Sequence, residues 1–465
     1  MQDKIRRWIK DHENEMIADI AALVRHPSVS KYNPSSKKSY GEACAAALDE
    51  MLALGKKYGF DTANADYQCG VIKYGNGQKS IGFWGHLDVV PAGDDWIYAP
   101  YACTQKGDFL IGRGVDDNKG ASVVCLYVMR CLKELAVPLR HTLQLITGCA
   151  EETGMQDAVY YVSHYSVPDC NIVADAHFPV CFGEKGIIEA ELRTPALSDA
   201  VIDFHAGTVS NSVPDRAQIT LKTSEGIKAK LASLPEGVSA EAGDVLTVVT
   251  ATGVAKHAAM PEGGVNAVHV LLDALTKLDM LCKDDLAALA FMRTVCATTD
   301  GSALGIACSD DLSGALTCVG STVTFKDHRA DLGINIRYPI TADADRLERH
   351  IEEAAGAAGY ALSAIDNNRP NHVDRDSVFV KTLNRVYNEV MGCDEDSYTM
   401  GGGTYARKIP NAVAFGAGMP VDKSALDLPT GHGDVHAPDE VVSIPMLQKA
   451  MEIYILSVLE LDKAD

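Results

Sequence analysis

Strand-like and helix-like segments alternate through residue 183, lose that rhythm over 184–368, and recover it from 369 to the end. No other feature constrains the fold as tightly. Ile5, Ile9, Met16, Ile20 and Leu23 recur at helical spacing before Pro27. A second amphipathic helix runs from about Glu42 to Tyr58, ended by Gly59. Gly70–Tyr74 and Ser80–Trp84 read as strands, with Gly75-Asn76-Gly77 between them as a hairpin signal. Ala121–Leu135 is expected as a buried helix, His141–Gly148 as a strand, Gln156–Tyr165 as a helix and Asn171–Ala174 as a strand. That alternation implies a largely parallel sheet.

From Ile187 the pattern becomes alternating and β-branched, as in Ile187–Arg193, Val201–His205, Gln218–Lys222 and Val245–Ala251. Helices are expected at Ala267–Leu281 and Asp343–Ala355, which makes this stretch α+β with antiparallel strands. After Asn367-Asn368-Arg369-Pro370 come a helix at Val378–Met391, a strand at Ala412–Phe415 and a closing helix at Ile444–Leu461. The simplest architecture is one α/β domain built from residues 1–183 and 369–465, carrying an inserted α+β domain at 184–368.

A chain of 465 residues with 47% apolar and 23% charged residues excludes disorder and low-complexity classes. Its net charge of −21 repels phosphate backbones, so nucleic acid is not an expected partner, and the charge itself favours solubility. Thirteen cysteines without a C-x-x-C pair read as buried thiols in a reducing cytosol. The first residues, MQDKIRRWIKDHENEM, offer no apolar core for a signal peptide. Apolar runs such as Ala121–Met129 fall short of the ~18 residues of a membrane span. A cytoplasmic protein with no membrane partner is expected.

Five loops concentrate His, Asp and Glu where strands end or helices begin. In Gly85-His86-Leu87-Asp88, the His and Asp share one face of a strand end, suiting a metal-bound imidazole with a carboxylate behind it or simply a surface pair. Gly112–Gly120 carries Asp116 and Asp117 into a helix and is neither a P-loop nor a dinucleotide fingerprint; it reads as a cation-bridging loop or an acidic N-cap. Glu151 and Glu152 are adjacent carboxylates that repel unless a cation or shared proton intervenes, though a solvated turn would also carry them. Asp175 follows the Asn171–Ala174 strand, with His177 two residues on. His432 and His436 lie in a Gly/Pro-rich loop, so they are not assigned to one helix face, and each alone is compatible with a structural role. Taken together, all five point to one metal-binding crevice at the carboxyl ends of strands. No G-x-S-x-G elbow or cysteine nucleophile signature competes with it.

With these motifs in this order over almost the whole length, the chain resembles the co-catalytic metallopeptidase family of aminoacylases, glutamate carboxypeptidases, succinyl-diaminopimelate desuccinylase and carnosine dipeptidases. Within that family it is most similar to the bacterial dipeptidases. The resemblance implies that His86, Asp117 and Asp175 hold one divalent ion and that Asp117, Glu152 and His436 hold a second. It makes Asp88 the carboxylate that orients His86 and Glu151 the general base. Two departures are His177, where relatives often carry an acid, and the additional His432.

The resemblance also implies that the insertion is a lid. His257, within Gly253–Ala267, would donate to the oxyanion; Asn211 and Arg337 would hold substrate, Arg337 by its C-terminal carboxylate. Gly402 and Gly403 would bring backbone N–H groups to the substrate. An insertion of this length resembles the enlarged lids that imitate a second subunit, which implies a monomer. The implied activity is metal-dependent hydrolysis of dipeptides with free termini, using two ions, zinc first and manganese or cobalt as alternatives. Other amide hydrolysis in the same family, on N-acyl amino acids or carboxypeptidase substrates, is the near alternative. A metal-stabilised binding protein is the distant one, disfavoured because both Glu151 and Glu152 are present.

Overall fold

Ser80–His86 is buried on both faces, as its near-continuous apolar run requires, and the first structural unit is organised around it. The structure is a computed structural model that describes residues 1–463. It divides into one unit made of Met1–Gly183, Asn371–Tyr398 and the chain from Gly403 onward, and a second made of Glu184–Pro370 with Thr399–Gly402.

In the first unit the strand order is Asp61–Ala65, Cys69–Tyr74, Thr142–Gly148, Ser80–His86, Cys170–Val173, Ala412–Phe415, Val180–Glu184 and Asn371–His372. The four central strands, from Thr142–Gly148 to Ala412–Phe415, are mutually parallel, and the neighbours outside them are antiparallel. Helix Lys119–Glu134 is buried along almost its whole length and packs against the closing helix Ile444–Leu461. The mixed α/β class expected from the alternation is the class observed.

The hairpin expected at Gly75-Asn76-Gly77 does not form. Cys69–Tyr74 and Ser80–His86 lie on opposite sides of Thr142–Gly148, so the segment between them crosses over the start of that strand. Thr142 donates its N–H to Lys79 and its hydroxyl to Gly77. A Cβ on Gly77 would come within 1.9 Å of the Arg140 carbonyl oxygen, so these glycines serve close passage rather than a two-residue turn.

The second unit is an antiparallel sheet in the order Val238–Ala242, Leu246–Thr252, Arg216–Lys222, Val201–Ala206, Thr317–Lys326, Arg329–Tyr338, Gly186–Arg193 and Ala361–Asn368. Alternation along Gly186–Arg193 buries Ile188, Ala190 and Leu192 and exposes Glu189, Glu191 and Arg193, leaving one face for the helices. Those helices, Ala267–Lys277, Lys283–Val295 and Ala344–Ala357, share the unit's hydrophobic core with the strands. Two four-stranded halves meet where Ala206 pairs with Val323. The helix expected to reach Leu281 ends at Lys277, where Asp279 takes positive φ and the chain turns into a second helix at Lys283. All thirteen cysteines are free, but the expectation that they are buried holds for only nine; Cys282 and Cys308 are exposed, and Cys170 and Cys393 partly so. No helix among the described residues is long and apolar enough to cross a membrane.

Candidate metal centre

Three parallel strands end level with one another. His86 pairs with Gly148 and Trp84 with Val173, so His86–Asp88, Glu151–Glu152 and Asp175 leave the sheet at one edge. This is the carboxyl end, where open α/β sheets gather ligands. The loop before helix Lys119–Glu134 brings Asp117 to the same place, and the loop before Ile444–Leu461 brings His436.

Asp117 stands between two imidazoles. Its Oδ1 is 2.9 Å from His86 Nε2 and its Oδ2 is 3.0 Å from His436 Nε2. His86 Nε2 also faces Asp175 at 3.7 Å, and His436 Nε2 faces Glu152 at 3.2 Å. Ligand atoms of His86, Glu151 and Asp175 lie within 4.8 Å of one another, as do those of His86, Asp117 and Glu152. His432 lies outside this cluster, its Nδ1 being 2.7 Å from Asp439. Asp116 points to a neighbouring cavity, and His177 lines the same cavity without joining the cluster.

Buried acids grip the loops that carry these groups. The Asp88 carboxylate accepts the N–H groups of Glu151 and Glu152 at 3.2 and 3.1 Å and lies 3.4 Å from His86 Nδ1. The same ring nitrogen is 2.9 Å from the Asp88 carbonyl oxygen. Those acceptors hold a proton on Nδ1, so that once the proton shared with Asp117 is displaced the Nε2 lone pair faces Asp117 and Asp175, the tautomer a metal ligand needs. Asp157 accepts the N–H groups of Cys149 and Ala150, just before Glu151, and the hydroxyl of Tyr405. Glu440 accepts the N–H groups of Gly114, Asp116 and Asp117 and pairs with Arg113 at 2.8 Å, both side chains being buried. Asn118 donates to Asp175 Oδ1 at 2.9 Å and to the Ala174 carbonyl. The sequence reading missed Asp157, Glu440 and Asn118. Glu440 had a visible signal, an acid in the same short loop as His436; Asp157 had none.

The electrostatics call for cations. Burial, with Asp117 and Glu152 nearby, pushes Asp175 up to about 7, and burial with Glu440 and Asp117 pushes Asp116 up to about 7. Desolvation, then Asp175, raises Glu151 well above the carboxylate range. Asp117 is held low, against its own desolvation, by hydrogen bonds from His436 and His86. Hydrogen bonds to Asp117 and Glu152 raise His436 to about 10, so protons take the places that divalent ions would fill. A half-buried excess of carboxylate with two imidazoles in register fits a pair of divalent ions.

The remaining expected residues fall mostly in the second unit. Asn211 and His257 are on neighbouring segments, with Ala258 N–H bonded to the Asn211 carbonyl at 2.8 Å. Ala259 N–H donates to His257 Nδ1 at 3.2 Å, and a Cβ on Gly401 would meet the Ala259 Cβ at 2.7 Å. Arg337 is buried; it donates to Asn335 at 2.7 Å and to the Gly401 carbonyl at 2.9 Å, beside Gly402. Desolvation and the Arg337 charge lower the pKa of His257. Gly403 belongs to the first unit, where a Cβ would collide with the Arg407 guanidinium.

This fold and this donor set define a metal-dependent hydrolase. Residues 82–460 match the family model described as Peptidase family M20/M25/M40. The chain is 31% identical to YtjP of Bacillus subtilis (strain 168), provisionally named a dipeptidase, over 97% of this chain and 98% of that protein. In fold it is similar to the di-peptidase Dug1p from Saccharomyces cerevisiae (TM-score 0.60, 13% identity, 100% and 99% of the two chains). It is also similar to the M20 family metallo-carboxypeptidase Sso-CP2 from Sulfolobus solfataricus (TM-score 0.58, 18% identity, 96% and 99%). The chain belongs to Peptidase family M20/M25/M40 and is a metal-dependent peptidase. That membership sets aside the reading as a non-catalytic binding protein.

Proposed function

We propose that the protein is a dinuclear metal dipeptidase acting on dipeptides with free amino and carboxyl termini. The observation that carries this reading is Asp117, which offers one oxygen toward His86 and the other toward His436. His86, Asp117 and Asp175 would hold one ion, and Asp117, Glu152 and His436 the other, zinc suiting the mixed imidazole and carboxylate donors and manganese or cobalt being compatible. Such ions would polarise the scissile carbonyl and lower the pKa of the attacking water.

Glu151, whose carboxylate lies among the proposed ligand atoms, takes the proton of that water and passes it to the leaving amine. Asp88 keeps His86 in its ligand tautomer while fixing the Glu151–Glu152 turn. His257 accepts from Ala259 N–H at Nδ1, so its own proton is on Nε2, and its lowered pKa keeps the ring neutral. That N–H is the oxyanion donor in this reading, a contribution of about 2.7–4 kcal/mol for one donor. Asn211 and Arg337, with the backbone of Gly402 and Gly403, hold the substrate, Arg337 at its carboxylate.

In this reading residues 1–183 and 369–465 form the catalytic domain and 184–368 the lid. The two four-stranded halves of the second unit support an internal imitation of a dimer and hence a monomer. Free, mostly buried thiols support a cytoplasmic setting. The dipeptidase name carried by YtjP supports the substrate class.

The test is hydrolysis of a dipeptide panel beside N-acyl amino acids by metal-loaded wild type and Glu151→Gln. Dipeptide cleavage that falls about 10²–10⁴-fold in the variant, with ions still bound, is the expected result. Cleavage of N-acyl amino acids alone would overturn the dipeptidase reading in favour of the acylase one.

A further inference from the structure

Two cavities in the first unit share a wall beside the metal centre. The smaller, about 200 Å³, reaches Asp117 and Asp175. The larger, about 420 Å³, is walled mainly by apolar side chains, among them Met419, Val421, Val442 and Leu447. Asp116, His177, Ala417 and Val435 line both, which places Asp116 where the two spaces join. Its backbone N–H is fixed by Glu440 at 2.9 Å, while no hydrogen bond or ion pair among the described residues engages its carboxylate. The one lysine lining the larger cavity, Lys423, is already paired with Asp434 at 2.8 Å.

We propose that Asp116 anchors the free ammonium group of the substrate's N-terminal residue and that the larger cavity receives that residue's aliphatic side chain. The inference rests on the dipeptidase reading and names the amine-binding group that reading requires. In a dipeptide the α-ammonium is two bonds from the carbonyl under attack, so its anchor must adjoin the metal centre, and Asp116 adjoins Asp117 in the chain. An ammonium supplies the charge and donors a half-buried carboxylate needs. An N-acyl substrate offers one amide N–H and no charge, so the same residue selects against acylated substrates. Beyond the anchor, a cavity of this size and apolar lining matches an aliphatic side chain.

The experiment compares kcat/KM for leucyl-glycine, alanyl-glycine and N-acetyl-leucyl-glycine in wild type, Asp116→Asn and Val421→Phe, with metal content of each by mass spectrometry. In Asp116→Asn the preference for leucyl-glycine over its N-acetyl form should fall at least about tenfold, chiefly through KM, with two ions per chain retained. In Val421→Phe, which fills the larger cavity, leucyl-glycine should lose ground to alanyl-glycine. Equal loss on free and acetylated substrates in Asp116→Asn, or loss of metal, would overturn the anchor and leave Asp116 only a support for Asp117. An unchanged leucyl-to-alanyl preference in Val421→Phe would overturn the side-chain assignment. If wild type cleaves none of the three peptides, the dipeptidase reading fails first, an outcome distinct from either.

Discussion

Glu440 accepts the backbone N–H of Asp117 at 3.0 Å across 323 residues of sequence. The same carboxylate accepts from Gly114 and Asp116 and pairs with Arg113, so the last loop of the chain positions the loop that carries the central carboxylate of the proposed metal centre. His436 stands four residues before Glu440, so one short segment carries a proposed donor and fixes the loop of Asp117, the residue it faces.

Replacing Glu440 with Gln should therefore do two things. Leaving Arg113 buried and unpaired should cost about 3–5 kcal/mol in urea unfolding of the metal-free protein. Displacing the Asp117 loop should weaken metal binding by about 10–100-fold, measured by competition with a chelating dye. Unchanged affinity would show that the loop keeps its shape without Glu440.

Gly85 precedes His86 in a fully packed strand, and a Cβ there would lie 2.4 Å from Ser122 Oγ and 2.6 Å from Asn118 Oδ1. Because Asn118 holds Asp175, Gly85→Ala should cost about 1–3 kcal/mol and also weaken metal binding. Loss of stability with wild-type metal affinity would mean that Asn118 yields without moving Asp175.

Much of the first unit was legible because its segments carry strong local signals. Val378–Met391, Ala412–Phe415 and Ile444–Leu461 are observed with the bounds their patterns suggest. The long hairpin of Thr317–Lys326 and Arg329–Tyr338 passed unread: its turn is Asp327-His328, both at positive φ, where the usual signal is Asn-Gly. The strand pairing around Gly75–Gly77 was misread because a glycine-rich turn looks the same whether it joins neighbours or crosses a strand between them. In the candidate metal centre, the residues brought together were visible as motifs where strands end or helices begin. Their supports were not, because Asp157 and Glu440 act on backbone N–H groups, which leave no trace in side-chain spacing. Spacing alone does not separate the two histidines of the last loop; the resemblance picks His436, and in the structure His432 lies on Asp439 and His436 on Asp117 and Glu152.

Metal uptake should release protons. Without ions, His436 is raised to about 10 by Asp117 and Glu152, so it is protonated at neutral pH, whereas a ligand imidazole must be neutral. Binding at pH 7 should expel at least one proton per chain, and affinity should rise with pH. Titration calorimetry in buffers of different ionisation enthalpy checks this; a buffer-independent heat would contradict it.

Glu452 joins the two ends of the chain, accepting from Gln2 at 2.9 Å and Arg6 at 2.7 Å. Burial opposes its charge, but Gln2, Arg6 and Lys449 outweigh it and lower the pKa. The contribution to stability is then present above the unfolded value of about 4.3 and lost as pH falls through the lower folded value. Glu452→Gln should be less stable than wild type near neutrality, with the difference shrinking from about pH 5 to about pH 3 in urea unfolding. A constant difference would show that packing, not charge, is what the substitution removes.

The most direct measurement is cleavage of leucyl-glycine by the purified protein before chelation, after it, and after graded return of zinc, manganese or cobalt. Activity should vanish on chelation and return in step with ion content, reaching its plateau at two ions per chain. Cleavage that survives complete removal of metal, or a plateau at one ion, would contradict a dinuclear centre built around Asp117.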